Sequence, residues 1–161
     1  MNERITLRPA TEEDRDILLR VYGSTREEEL TLATDWTPEQ KSAFVTMQFE
    51  AQHTQYHEAF PDARFNVILV DGEPAGRLYV HPREEEIRLV DITLLPEYRG
   101  GGFGTSLLQD LFAEAEAARK PLTIHVEKFN RALKLYQRLG FRPVADRGVY
   151  WLMEWRPASL S

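Results

Sequence analysis

Four glycines in five positions, Gly100-Gly101-Gly102-Phe103-Gly104, stand between a run that reads as a strand and one that reads as a helix. The strand reading covers Glu86 to Leu95 and stops at Pro96. The helix reading covers Thr105 to Arg119, with Leu107, Leu108, Leu111, Phe112 and Ala115 on one face. A short strand, Leu122 to Val126, comes next. A strand, a helix and a strand in that order oblige the helix to cross back over the sheet, so the two strands run parallel. The other elements are arranged around this pair.

Upstream, residues 4–8 alternate as a half-buried strand stopped by Pro9. Thr11 before Glu12, Glu13 and Asp14 reads as a helix cap with acids in the first turn, and Ile17, Leu18, Val21 and Tyr22 give that helix an apolar face. Thr37-Pro38-Glu39 opens a second helix, which ends near Phe60-Pro61. Residues 65–70 and 75–81 flank Asp71-Gly72-Glu73-Pro74, a hairpin signal. Downstream, Arg131 to Leu139 reads as a short helix closed by Gly140, and residues 141–155 as a final pair of strands. The expectation is a mixed α/β sheet, mostly antiparallel, of about six to seven strands, with helices on both faces. No repeat or linker divides residues 1–161, which read as a single domain.

Composition narrows the function. With no cysteine the chain has neither a disulfide nor a thiol nucleophile, and a reducing, cytoplasmic setting suits it. The opening Met1-Asn2-Glu3-Arg4 lacks an apolar signal core, and no apolar run approaches the ~20 residues of a membrane span. A net charge of -6 argues against a nucleic acid as the main partner. No metal is expected: His53 and His57 are four apart on a helix, but Thr54 breaks the zinc-protease pattern, and a solvated face is the simpler reading.

The glycine loop carries the chemistry. Successive N–H groups ahead of a helix can converge on a phosphate, glycines let it approach, and Arg99 adds a charge. Gly104-Thr105-Ser106 lacks the lysine of a P-loop, and from Gly102 the sixth position of a dinucleotide loop is Leu107 rather than glycine.

Arg99, Gly102 and Gly104, after Leu94-Leu95-Pro96-Glu97-Tyr98, fit the pattern Arg/Gln-x-x-Gly-x-Gly/Ala. That stretch resembles the acetyl-CoA loop of the GNAT superfamily of N-acetyltransferases. Asn130-Arg131-Ala132-Leu133-Lys134-Leu135-Tyr136, followed by Leu139-Gly140-Phe141, is similar to the family's second signature, and the element order matches along nearly the whole chain. The resemblance implies a GNAT-like fold and an acyl-CoA-dependent N-acyltransferase. Acetyl-CoA would be the donor and an amine of a small molecule or peptide the acceptor. The alternative is a module of the same fold that binds or senses acyl-CoA without transfer. It also leaves a homodimer open.

Residue by residue, the resemblance implies that Ile92, Thr93 and Leu94 lend backbone groups to the pantetheine arm and the acyl carbonyl. The amides of Gly100, Gly101, Gly102, Phe103, Gly104 and Thr105 would cradle the pyrophosphate beside Arg99, and Asn130 would bond the cofactor arm. Tyr136 matches the usual general acid; a helix anchor is its other reading. A base is needed because an alkylamine, with a pKa near 10.4, is protonated at neutral pH. His125 and Glu127, on one face of the strand 122–127 with Thr123, are the candidates. The segment 23–37 lies where the family builds its acceptor pocket, which brings in Glu28, Glu29 and Trp36.

Overall fold

Seven strands and five helices run through the described residues, 2–160 of a computed structural model. The strands are β1 (Ile5–Pro9), β2 (Arg64–Val70), β3 (Glu73–Pro82), β4 (Ile87–Leu94), β5 (Leu122–Glu127), β6 (Arg142–Arg147) and β7 (Tyr150–Trp155). The helices are α1 (Arg15–Ser24), α2 (Glu27–Thr31), α3 (Pro38–Ala59), α4 (Phe103–Ala118) and α5 (Leu133–Arg138). The sheet order is β1-β2-β3-β4-β5-β7-β6. The crossover through α4 makes β4 and β5 parallel, as the sequence requires, with Leu89 level with Ile124. β7 is antiparallel to both β5 and β6, so the last hairpin folds back and places its second strand inside.

Contacts divide the described chain into two compact units, residues 2–79 with 91–103 and residues 80–90 with 104–160. In the first, Leu18 and Tyr22 of α1, Phe49 of α3 and Val67 of β2 form a buried cluster. Thr37 caps α3 by exchanging bonds with Gln40: the Gln40 N–H donates to Thr37 Oγ1 at 3.1 Å, and the Thr37 N–H to Gln40 Oε1 at 2.8 Å. In the second, Leu107, Leu108, Leu111 and Ala115 of α4 are buried, as are Leu122, Ile124 and Val126 of β5. Phe112 stacks on Trp155 at 4.2 Å between ring centroids.

Several boundaries differ from the sequence reading. Pro9 is the last residue of β1 rather than the residue that follows it; β1 is an outer strand, where a proline is tolerated. The three acids after Thr11 form a 3-10 turn, and α1 proper starts at Arg15. The hairpin turn is only Asp71-Gly72, both at positive φ (52° and 82°), and Pro74 lies inside β3. The acidic run at Glu27 winds into α2, a five-residue helix that polarity alone does not announce. Helix α4 begins at Phe103, so Phe103 and Gly104 belong to its first turn rather than to the loop. As expected for a solvated helix face, His57 is exposed, while His53 is half-buried. His53 stacks on Phe49 at 5.5 Å and His57 on Phe65 at 4.0 Å, and both line a cavity of about 660 Å³ with Tyr79, Leu18 and Arg15.

Candidate functional site

At the end of β4 the backbone runs close against Gly76 of β3. The carbonyl oxygen of Thr93 occupies the place where a side chain on Gly76 would begin. The Leu95 N–H donates to Ala75 O at 2.8 Å, and the Thr93 hydroxyl donates to Asp91 Oδ1 at 2.6 Å. Asp91 is held in turn by Arg77, a buried guanidinium whose Nη2 lies 2.6 Å from Asp91 Oδ2 and 2.8 Å from Gln52 Oε1. Arg77 and Asp91 thus fix the strand end that contains Ile92, Thr93 and Leu94.

Beyond Leu94 the chain makes a 3-10 turn, Pro96–Tyr98, closed by the Tyr98 N–H on Leu95 O and the Arg99 N–H on Pro96 O. Two contacts tie this turn to α1. Arg20 pairs with Glu97 at 2.6 Å, while Arg99 reaches Ser24 Oγ at 3.4 Å. The Arg99 Nε donates to Leu94 O at 3.0 Å, so this side chain braces the strand end as well as carrying charge. Gly100 (φ 78°) and Gly102 (φ 82°) occupy the left-handed region, with no atom within 4 Å of where a β-carbon would stand. These two residues reverse the chain into α4, whose first four N–H groups, from Gly102 to Thr105, have no acceptor within the helix. The Phe103 ring is buried under the Arg4 guanidinium, 5.1 Å from the ring centroid. Partial positive charge at a helix start and unfilled donors are what an anion needs.

In the second unit, Tyr136 is held by the end of its own helix. The Phe141 N–H donates to Tyr136 O at 3.0 Å and the Gly140 N–H to Gln137 O at 3.1 Å, with Gly140 at φ 107°. This is a Schellman ending, and its usual hydrophobic contact is the Tyr136–Phe141 ring pair, 5.5 Å apart and nearly perpendicular. Asn130 shapes the turn before α5: its Oδ1 accepts from the Ala132 N–H at 2.7 Å, which leaves the amide NH2 as its remaining donor.

On β5, Thr123 is buried, whereas His125 and Glu127 are exposed. Arg88 of β4 lies across this face, donating from Nε to Thr123 Oγ1 at 2.8 Å and from Nη1 to His125 Nδ1 at 3.1 Å. Arginine has no lone pair to offer, so Nδ1 is the acceptor and the ring proton sits on Nε2. Burial, reinforced by Arg88, Arg147 and Arg83, holds the His125 imidazolium pKa below its ordinary value. The neutral ring's one lone pair is therefore already occupied, which argues against His125 as the proton acceptor. Glu127 offers only acceptors.

Trp36 packs edge-on to Phe44 at 5.2 Å, and Glu29 pairs with Arg26 at 2.9 Å. Neither these residues nor Glu28 lines the cleft of about 300 Å³ between α1, α2 and α3. Glu27 and Leu30 do, facing Lys41, Val45 and Gly23. Among the described residues no group of three or more His, Cys, Asp or Glu could hold a metal ion, and no helix is long and apolar enough to cross a membrane.

A braced strand end opening through a glycine turn into a helix N-terminus, in this strand order, defines a class. The chain belongs to the Acetyltransferase (GNAT) family, whose profile matches residues 30–141. Among curated proteins it resembles the ribosomal protein bS18-alanine N-acetyltransferase of Haemophilus influenzae, 38% identical over 68 residues, 42% of this chain. A Bacillus subtilis relative named for the same activity is 32% identical over 101 residues, 60% of this chain. The matched stretch spans 66% of the Bacillus protein and 47% of the Haemophilus one. The fold resembles that of the PaiA N-acetyltransferase of Thermoplasma acidophilum in complex with coenzyme A. The TM-score is 0.70 and the identity 18%, over 97% of this chain and 99% of the other.

Proposed function

We propose that this protein transfers the acetyl group of acetyl-CoA to a primary amine of a small molecule or peptide. One observation carries the reading. Gly100 and Gly102, both at positive φ, turn the end of β4 into the N-terminus of α4, where backbone donors suit a diphosphate. Family membership and the bS18-alanine N-acetyltransferases among its relatives support the same class of reaction.

The amine nitrogen attacks the thioester carbonyl carbon and forms the C–N bond; backbone N–H groups at Ile92 to Leu94 steady the oxyanion. Glu127 takes the proton of the ammonium. When the C–S bond breaks, the Tyr136 phenol gives its proton to the CoA thiolate, the phenolate takes back the second proton of the attacking nitrogen, and free thiol and acetamide leave. A non-catalytic acyl-CoA sensor would share the loop but not this exchange.

Titration calorimetry with CoA and acetyl-CoA, then thiol release with an amine panel, tests both readings. Binding with release supports transfer, binding without release supports the sensor, and no interaction with any CoA species removes both. In Tyr136→Phe, turnover falls at least about tenfold while CoA affinity persists. Unchanged turnover would take Tyr136 out of the reaction.

A further inference from the structure

The face of β5 that bears His125 and Glu127 is an array of donors in a chain whose net charge is -6. Arg83 and Arg88 share a single oxygen: Glu86 Oε1 lies 2.9 Å from Arg83 Nη1 and 3.1 Å from Arg88 Nη2. Each of these arginines also caps a histidine, Arg83 Nε on His81 Nδ1 at 3.0 Å and Arg88 Nη1 on His125 Nδ1 at 3.1 Å. Both rings thereby carry their proton on Nε2. A third guanidinium comes from β6. Arg147 pairs in register with Tyr150, and Tyr150 with Glu127, so Arg147 projects from the face that bears Glu127 and His125. Of the acids on this face, Glu86 is shared by two arginines and Glu154 lies 3.2 Å from Arg156, which leaves Glu127 two residues beyond His125.

Two of these guanidiniums, Arg88 and Arg147, beside the His125 Nε2–H call for an anion. The next acid along the strand calls for a cation. Residues two apart on a strand are about 6.8 Å apart, a span that a small zwitterion bridges.

We propose that this face selects acceptors carrying a carboxylate a few bonds from the amine: the carboxylate meets the His125 Nε2–H with Arg88 and Arg147, and the ammonium meets Glu127. His125 is then a recognition residue. The proposal rests on the acyl-transfer reading above and names its substrate class.

The test uses acetyl-CoA and matched acceptors: glycine, β-alanine and γ-aminobutyrate, each against its carboxamide. The amide's amine is the less basic partner, so ease of deprotonation alone favours the amide. At least one acid should exceed its amide tenfold or more in kcat/KM, and Arg147→Gln should cut that ratio below threefold. Equal rates for acid and amide throughout, or a ratio untouched by Arg147→Gln, overturn the proposal while leaving transfer intact. A second measurement needs no turnover: calorimetry of N-acetyl-β-alanine and its amide on the CoA-bound protein. Tenfold tighter binding of the acid, lost in Arg147→Gln, supports the recognition even if no acceptor releases thiol, in which case it is the transfer reading that fails. Equal binding of the two overturns it. Imidazole 15N spectra that place the His125 proton on Nδ1 would overturn it as well.

Discussion

Single residues without side chains set the backbone path here, and each does so for a different reason. A β-carbon on Gly76 would stand 2.1 Å from Thr93 O and 3.0 Å from Leu94 Cα, and neither backbone atom can move without shifting β4. Gly76→Ala should therefore cost about 3 kcal/mol or more, read as a fall in the urea midpoint. Gly23 is the control. A methyl there meets nothing nearer than Val45 Cγ1 at 3.5 Å, and alanine in a helix gains up to about 1 kcal/mol, so Gly23→Ala should hold or raise that midpoint. At Gly102 space is open and only φ objects. Gly102→Val should strain the turn by about 1–2 kcal/mol and weaken CoA binding about tenfold, measured by calorimetry. The glycine cluster was legible because it is contiguous. The role of Gly76 depends on a strand 17 residues away, although a lone glycine in a strand pattern is itself a signal of close backbone approach.

At the scale of elements, ends were read best where a side chain caps them. Thr37-Pro38 with Gln40 marks the start of α3 to the residue, and Gly140 marks the stop of α5. Starts without such a cap slipped: α4 begins two residues before the expected Thr105, since the turn is completed by Gly102 and the buried Phe103 ring anchors the first turn. Gly140 links an element end to chemistry. At φ 107°, with Trp155 Cδ1 only 3.2 Å from a would-be β-carbon, Gly140→Ala should break the Schellman ending and unseat the Tyr136–Phe141 pair. If Tyr136 is the acid, kcat falls several-fold with KM for acetyl-CoA little changed; a fall in stability alone, with kcat intact, would separate the fold role from the catalytic one. The face around His125 was only half legible. Alternation put Thr123, His125 and Glu127 together, but the arginine that fixes the histidine's tautomer comes from 37 residues upstream.

The whole molecule responds to acid in two stages. His53 and His125 are held below their ordinary pKa, first by burial and then by neighbouring cations: His57, Arg15 and Arg77 for the former, Arg88, Arg147 and Arg83 for the latter. The unfolded chain thus takes up protons first as pH drops below about 6.5, and stability falls gently there. Asp14 is held at about 2, chiefly by the hydrogen bonds from Arg8, against an ordinary 3.8, despite the opposing pull of burial. Its contribution is complete above pH 4 and is lost as pH falls from there towards 2. The loss is on the order of 1–2 kcal/mol, reduced because Arg8 is half in water. Tm against pH should show a plateau above 7, a shallow slope and then a steep limb, and Arg8→Gln should flatten that limb. One outer boundary of the sheet has a further effect. Along β6, Pro143 donates no N–H, pairing with β7 shifts between Pro143 and Ala145, and Arg142 and Arg147 put a cation at each end. An incoming strand would find no continuous ladder there and would meet a charge at either end. Concentrated solutions of the native protein should accordingly stay free of thioflavin-positive fibres seeded from this margin.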